Sequence, residues 1–201
     1  MKVFAAIQAG GRSTRMGTDK AWVELAGRPL IEYALDAAQP MAQRCAIVIS
    51  HGTAQRERYA TLAQQRQVSL LFDSHDYRGP LGGIHTALQH CAADETALIL
   101  ACDLPFITTE FLALLQSLHT PQITVPLDET GRRQMLAGFY DKACEPAVAA
   151  LLAADQLRVD GLCAQVQVRE VPFSVYAHLP QAVRLLRNLN TPEEVCSAEP
   201  E

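Results

Sequence analysis

Short, continuous apolar runs alternate along this chain with longer stretches whose apolar positions recur every three or four residues. The runs at Val3 to Gln8, Ala46 to Ser50, Ser69 to Phe72, Ala97 to Ala101 and Ile123 to Pro126 predict strands. Their lack of polar alternation predicts a sheet covered on both faces, as parallel sheets are. Between them, Pro29 to Met41 carries Leu30, Ala34, Leu35, Ala38 and Met41 at helical spacing, with a proline suited to a first helical turn. Helices also fit Ala54 to Gln64, Gly83 to Cys91, Thr109 to Leu118 and Ala143 to Ala153. Thr108 and Thr109 are candidate N-caps, because a hydroxyl there can accept from the first free backbone N–H groups. The alternation predicts an α/β fold: one doubly wound, mostly parallel sheet with helices on both faces.

Beyond about position 155 the pattern weakens. Gln165 to Val171 and Phe173 to Tyr176 read as strands, and Leu179 to Leu186 and Thr191 to Cys196 as short helices. No repeat, low-complexity linker or charge block divides the chain. A length of 201 residues suits one well-buried domain, expected over 1–196, with 197–201 as a loose tail.

Composition narrows the function classes. With 49% hydrophobic and 19% charged residues, the chain can build a core and is not of the disordered type. A formal net charge of −5 leaves no basic footprint for nucleic acid, so any cations that meet phosphate must be local. The six cysteines, at 45, 91, 102, 144, 163 and 196, form no C-x-x-C pair and read as reduced thiols. The apolar N-terminus is too short for a signal peptide, and no apolar run reaches the roughly 18 residues of a membrane span. A cytoplasmic protein is expected.

The chemistry begins where the first predicted strand ends. Gln8-Ala9-Gly10-Gly11-Arg12-Ser13-Thr14-Arg15-Met16-Gly17-Thr18-Asp19-Lys20 lies at the edge where α/β sheets bind ligands. Adjacent glycines let backbone N–H groups approach an anion, and Arg12, Arg15 and Lys20 bring three cations to an acidic chain. A triphosphate is the natural guest. The segment is neither G-x-x-x-x-G-K-[ST] nor G-x-G-x-x-G, which excludes a P-loop and argues against a dinucleotide-dependent oxidoreductase. A glycine-rich turn with surface arginines fits the same residues.

A second candidate is Asp103, in Cys102-Asp103-Leu104-Pro105, placed at the end of a buried strand. A carboxylate beside triphosphate is repelled unless a hard cation lies between them, and Mg²⁺ typically takes one or two carboxylates plus phosphate oxygens. Asp103 equally fits a cap for the following helix. Asp73 ends Ser69 to Phe72 in the same manner, and Asp76 is near enough to compete with it. Gly79-Pro80-Leu81-Gly82-Gly83 reads as a loop before a helix, open to a base or ribose or simply a tight connection. His51, His75, His85 and His90 have no ligand spacing, and Trp22 reads as packing.

The string GG-x-x-x-RMG-x-DK over Gly10 to Lys20 resembles the opening of the MobA-type molybdenum cofactor guanylyltransferases, within the Rossmann-like nucleotidyltransferases. The likeness continues in Leu25-Ala26-Gly27-Arg28-Pro29-Leu30, Asp73, Gly79 to Ile84, Cys102 to Phe106 and Asn188-Leu189-Asn190-Thr191-Pro192-Glu193-Glu194, so it spans nearly the whole chain. Met135 stands where the family commonly has proline, and Ser50 where some relatives carry asparagine.

The resemblance implies attack by the terminal phosphate of molybdenum-molybdopterin on the α-phosphorus of GTP, giving a guanine dinucleotide cofactor and pyrophosphate. It implies Arg15, Lys20 and Asp103 as catalytic residues, with Asp103 holding Mg²⁺. The implied nucleotide-binding set is Gln8, Ala9, Gly10, Gly11, Lys20, Ser50, Asp73, Gly82 and Asp103, with Asn188 and Asn190 on the acceptor side. A molybdoenzyme or its chaperone is a further implied partner. CTP or another phosphorylated acceptor, and a non-catalytic adaptor on the same fold, are the alternatives.

Overall fold

The computed structural model describes residues 1–9, 19–73, 79–120, 122–189, 194–195 and 197–198. In chain order its elements are β1 (Lys2–Gln8), β2 (Glu24–Leu25), β3 (Arg28–Pro29), α1 (Leu30–Ala38), β4 (Arg44–Ile49), α2 (Arg56–Gln65), β5 (Ser69–Phe72) and α3 (Gly79–His90). There follow β6 (Glu95–Ala101), α4 (Thr109–Ser117), β7 (Ile123–Pro126), β8 (Ala137–Asp141), α5 (Glu145–Ala153), β9 (Val168–Val171) and α6 (Phe173–Tyr176).

The main sheet has seven strands in the order β5-β4-β1-β6-β8-β7-β9, and β2 and β3 form a separate two-stranded ribbon. From β5 to β6 every pairing is parallel. β8 then enters antiparallel to both β6 and β7, and β9 pairs parallel with β7. The fold is therefore the expected α/β sheet, mostly parallel, with one reversed strand.

The central strands show why their sequence is apolar without alternation. In β1, Val3, Ala5 and Ile7 join one core with Ala34 and Leu35 of α1, Tyr59 and Leu62 of α2, and Phe111 of α4. Phe4 and Ala6 point to the opposite core, with Leu81 and Ile84 of α3 and Val148 and Leu151 of α5. β6 divides the same way, Leu98 and Leu100 against Ala97 and Ile99. Each fully buried aliphatic side chain contributes roughly 1.5–3 kcal/mol, so both layers are held by the same strands. Among the described residues, no helix is long and apolar enough to cross a membrane.

Several expectations are corrected. β8 is an addition to the expected strands: it is a five-residue strand whose apolar run is broken by Gly138. Phe173 to Tyr176 is a helical turn, not a strand; Pro172 precedes it, and Phe173 and Tyr176 meet edge to face at 5.2 Å, a contact that suits a spacing of three. Only Val168–Val171 of the stretch from Gln165 is strand, and only Ala182–Arg184 of Leu179 to Leu186 is helical, as a tight 3-10 turn. Of Thr191 to Cys196, Glu194 and Val195 are helical and the rest lies outside the described residues. Pro29 is the residue before α1 and not in its first turn, and a 3-10 turn at Gln39–Met41 follows that helix. Thr108 caps α4 by accepting from the Phe111 N–H at 3.2 Å, whereas the Thr109 hydroxyl donates to the Ala37 carbonyl. Ala198, in the stretch expected to be loose, is buried and its carbonyl accepts from Arg184 at 2.8 Å.

Candidate active site

Four parallel strands end on one edge, and the chain just past each end carries the polar residues singled out above. The strands remain tied beyond their ladders: the Cys102 N–H donates to the Gln8 carbonyl at 3.1 Å, Ala9 to Val48 at 2.9 Å and Asp73 to Ile49 at 2.8 Å. These bonds fix Gln8 and Ala9, Asp73 and Asp103 in relation to one another before any side chain is considered.

Asp103 is buried, yet its carboxylate is met on both oxygens. Lys20 Nζ lies 3.3 Å from Oδ2, and the Asn188 amide donates to Oδ1 at 3.4 Å. The Asp103 carbonyl accepts from the Leu189 N–H at 3.1 Å. Because Thr108 caps α4, the capping role for Asp103 is overturned; its carboxylate instead faces a cation and an amide from two distant parts of the chain. Such partners offset the cost of taking a carboxylate out of water.

Lys20 opens the 3-10 turn Lys20–Trp22, whose cap is Asp19. The Asp19 carboxylate accepts from the Ala21 N–H at 3.2 Å on one oxygen and from the Tyr59 hydroxyl at 2.7 Å on the other. Leu189 packs with Leu25, Leu30, Val195 and Ala198 in a small third core, which brings the C-terminal segment carrying Asn188 to the site.

The other side of the edge is built on close approach. Gly79 to Gly83, expected as a loop, forms the first turn and a half of α3. A Cβ on Gly82 would lie 2.5 Å from Asp73 Oδ2, and one on Gly83 would lie 2.8 Å from the Gln8 side-chain carbon. Glycine at both positions is what lets Asp73 and Gln8 sit against the helix. In the amide orientation that satisfies both groups, the Gln8 oxygen accepts from the Ile84 N–H at 3.0 Å and its nitrogen donates to the Pro80 carbonyl at 3.3 Å. Asp73 is buried against the flank of α3, and Thr86 donates to its Oδ1 at 3.4 Å.

The structure thus brings Lys20, Asp103 and Asn188 into contact, with Gln8 and Ala9 on the adjoining strand end and Asp73 and Gly82 against the same helix start. Ser50 follows β4, and its hydroxyl lies 3.1 Å from that of Thr53. Gly10, Gly11, Arg15 and Asn190 lie outside the described residues, as does Asp76. Asn188 is expected toward an acceptor, and its amide donates to Asp103 itself. Sequence reasoning missed Asp19 and Tyr59 as parts of the site. Asp19 stood beside Lys20 in the motif, but nothing in the spacing of α2 distinguishes Tyr59 from an ordinary core residue.

Cys102, next to Asp103, supplies no nucleophile: burial pushes its thiol well above the usual range, and the negative charges of Asp103 and Asp19 push it further. At the opposite edge, His119 bridges Asp141 at 3.0 Å and Thr124 at 3.0 Å, and the Gln122 N–H also donates to Asp141. These contacts join β7 to β8 far from the strand ends that carry the site.

The description of a MobA-like NTP transferase domain matches residues 5–166. A protein of Flavobacterium johnsoniae named "Probable molybdenum cofactor guanylyltransferase" is 35% identical, over 94% of this chain and 92% of its own. The molybdenum cofactor guanylyltransferase of Vibrio cholerae is 28% identical, over 94% and 87%. Among solved structures, molybdopterin-guanine dinucleotide biosynthesis protein A from Archaeoglobus fulgidus shares the fold with a TM-score of 0.80 at 22% identity, covering 98% of this chain and 96% of that one. The matched residues include both Lys20 and Asp103, and this chain belongs to the family of MobA-like NTP transferases.

Proposed function

We propose that this protein transfers GMP from GTP to the terminal phosphate of molybdenum-molybdopterin, releasing pyrophosphate. The observation that carries the reading is the Lys20–Asp103 pair, 3.3 Å apart at the C-terminal edge of β1 and β6. The pair sets one fixed cation beside one buried carboxylate at the place where α/β sheets bind phosphorylated ligands. The names of the relatives supply the nucleotide and the acceptor.

A phosphate monoester has a second pKa of about 6, so the attacking group is largely dianionic at pH 7 and needs no general base. The barrier comes from bringing two anions together, and it falls through positioning and charge stabilisation. Lys20 neutralises charge near the α-phosphate. Arg15 holds the departing pyrophosphate, and Gly10 and Gly11 offer backbone donors. Gln8, Ala9, Ser50, Asp73 and Gly82 serve nucleotide binding, and Asn188 and Asn190 serve the acceptor.

The donor set suits magnesium. Among the described residues, no three His, Cys, Asp or Glu side chains gather as a metal cage. One carboxylate, Asp103, is what a Mg²⁺ that draws its other ligands from phosphates and water requires. When bound there it would neutralise phosphate charge, while Lys20 and Asn188 hold the Asp103 carboxylate in place. The described cysteines carry free thiols, which fits a reducing compartment such as the cytoplasm.

The test is to incubate the purified protein with Mg²⁺, molybdenum-loaded molybdopterin and GTP, CTP, ATP or UTP separately, and to identify products by mass spectrometry. A guanine dinucleotide formed with GTP alone is expected. A cytosine product would contradict the choice of nucleotide, and nucleotide binding without any product would favour an adaptor.

A further inference from the structure

Lys20 owes its place to more than its own ion pair. The residue before it, Asp19, is held on both carboxylate oxygens: one caps the Ala21 N–H at 3.2 Å and the other accepts from Tyr59 at 2.7 Å. Tyr59 is fully buried in the core between α1, α2 and the sheet. A phenol hydroxyl in such surroundings is costly unless it finds an acceptor, and here it donates to Asp19. Burial, with the nearby Cys102 and Asp19, raises the phenol far above its ordinary range, so the group remains a donor at every working pH. The Trp22 ring, at the other end of the same 3-10 turn, lies 5.0 Å from the Tyr59 ring, and Arg58 stacks over Trp22 at 4.0 Å. The turn that begins with Lys20 is therefore gripped at both ends by one helix.

We infer that Tyr59 is a positioning residue for Lys20: from the rigid helix α2 its hydroxyl pins Asp19, and Asp19 in turn sets the backbone from which the Lys20 ammonium reaches Asp103. Tyr59 touches neither reacting group. The inference deepens the proposed function and rests on the role given there to Lys20. Misplacing a charge-stabilising group by about 1 Å can cost a hundredfold in rate, so a loosened pin lowers kcat while substrate binding is largely kept.

Tyr59→Phe keeps the ring and removes only the hydroxyl. With GTP, molybdenum-loaded molybdopterin and Mg²⁺, pyrophosphate release by this variant should show kcat about tenfold lower and a KM for GTP changed less than about twofold. Its melting temperature should stay within about 4 °C of the parent, the shift expected for one lost hydrogen bond in a domain of this size. In a Lys20→Ala background the same substitution should cause no further loss, because two residues acting through one interaction are not additive. Should Tyr59→Phe fold poorly, Asp19→Asn, which replaces one acceptor oxygen by an amide nitrogen, decides with the same expected fall and the same non-additivity. An unchanged kcat, or an equal loss in both backgrounds, would overturn the inference. Full turnover by Lys20→Ala would overturn the role of Lys20 as well, whereas an impaired Lys20→Ala beside a fully active Tyr59→Phe would overturn the pin alone.

Discussion

The two halves of the sheet are built differently and do different work. On one side, β5, β4, β1 and β6 run parallel, so all four deliver their C-terminal ends to the same edge, and Gln8, Asp73 and Asp103 gather there. On the other side, β8 runs against β6 and β7 and brings its C-terminal end, Asp141, to the opposite edge. The loop between β7 and β8 returns to the site edge but is tied down within itself and to the strands beside it: Asp128 accepts from Thr130, Arg132 and Gln134, and the Ala101 N–H of β6 donates to the Leu136 carbonyl. A parallel half concentrates polar side chains at one rim; a reversed strand spends them on holding the sheet together.

Perturbing each half should therefore have separable consequences. The largest effect is expected from Lys20→Ala or Asp103→Asn, each lowering kcat by about 10²–10³ with little change in melting temperature, as steady-state kinetics beside circular dichroism will show. Next is Gly82→Ala, whose Cβ would press on Asp73 at 2.5 Å. Displacing that carboxylate should weaken GTP binding about tenfold, equivalent to about 1.4 kcal/mol, by titration calorimetry.

In the other half the expected loss is of stability. A Cβ on Gly138 would meet the Thr124 carbonyl at 2.6 Å and Val125 Cγ1 at 2.7 Å, and backbone cannot yield as a side-chain tip does. Gly138→Ala should destabilise by about 1–3 kcal/mol in urea unfolding, with kcat of the folded protein within about twofold of the parent. A loss of kcat as large as that of Lys20→Ala would erase the distinction between the halves.

The smallest effect is in acid. Burial raises the Asp141 carboxyl, but hydrogen bonds from His119, Gln122 and Thr96 outweigh it and hold the group below its ordinary 3.8. A lowered folded pKa contributes stability that is complete above the unfolded value and is lost as pH falls through the folded one. Unfolding curves should thus show Asp141→Asn weakening the protein near pH 6, with the difference shrinking below about pH 4. A difference that grows toward acid would reverse the sign of the Asp141 contribution.

The same contrast explains what the sequence made legible. Val3 to Gln8 and Ala97 to Ala101 are buried on both faces, so their apolar runs announced a parallel sheet, and the polar residues after them stood out. In β8, Gly138 interrupts the apolar run and hid a strand whose existence depends on fitting between two others. Asn188 reaches Asp103 across 85 positions, through the small core around Leu189, and no local spacing encodes such a contact. Tyr59 was invisible for a different reason: its ring serves the core while its hydroxyl serves Asp19, and a helix pattern reports only the first.

In the proposed function, nucleotide and metal meet at the rim of the parallel half, between Lys20 and Asp103. Mn²⁺ added with GTP in place of Mg²⁺, followed by amide line broadening in a nitrogen-15 NMR spectrum, tests it most directly. The strongest broadening is expected at Ala9, Lys20, Cys102 and Asp103, with none at Asp94, Thr120 or Asp141 on the opposite edge. Broadening centred on that opposite edge, or unchanged in Asp103→Asn, would contradict it.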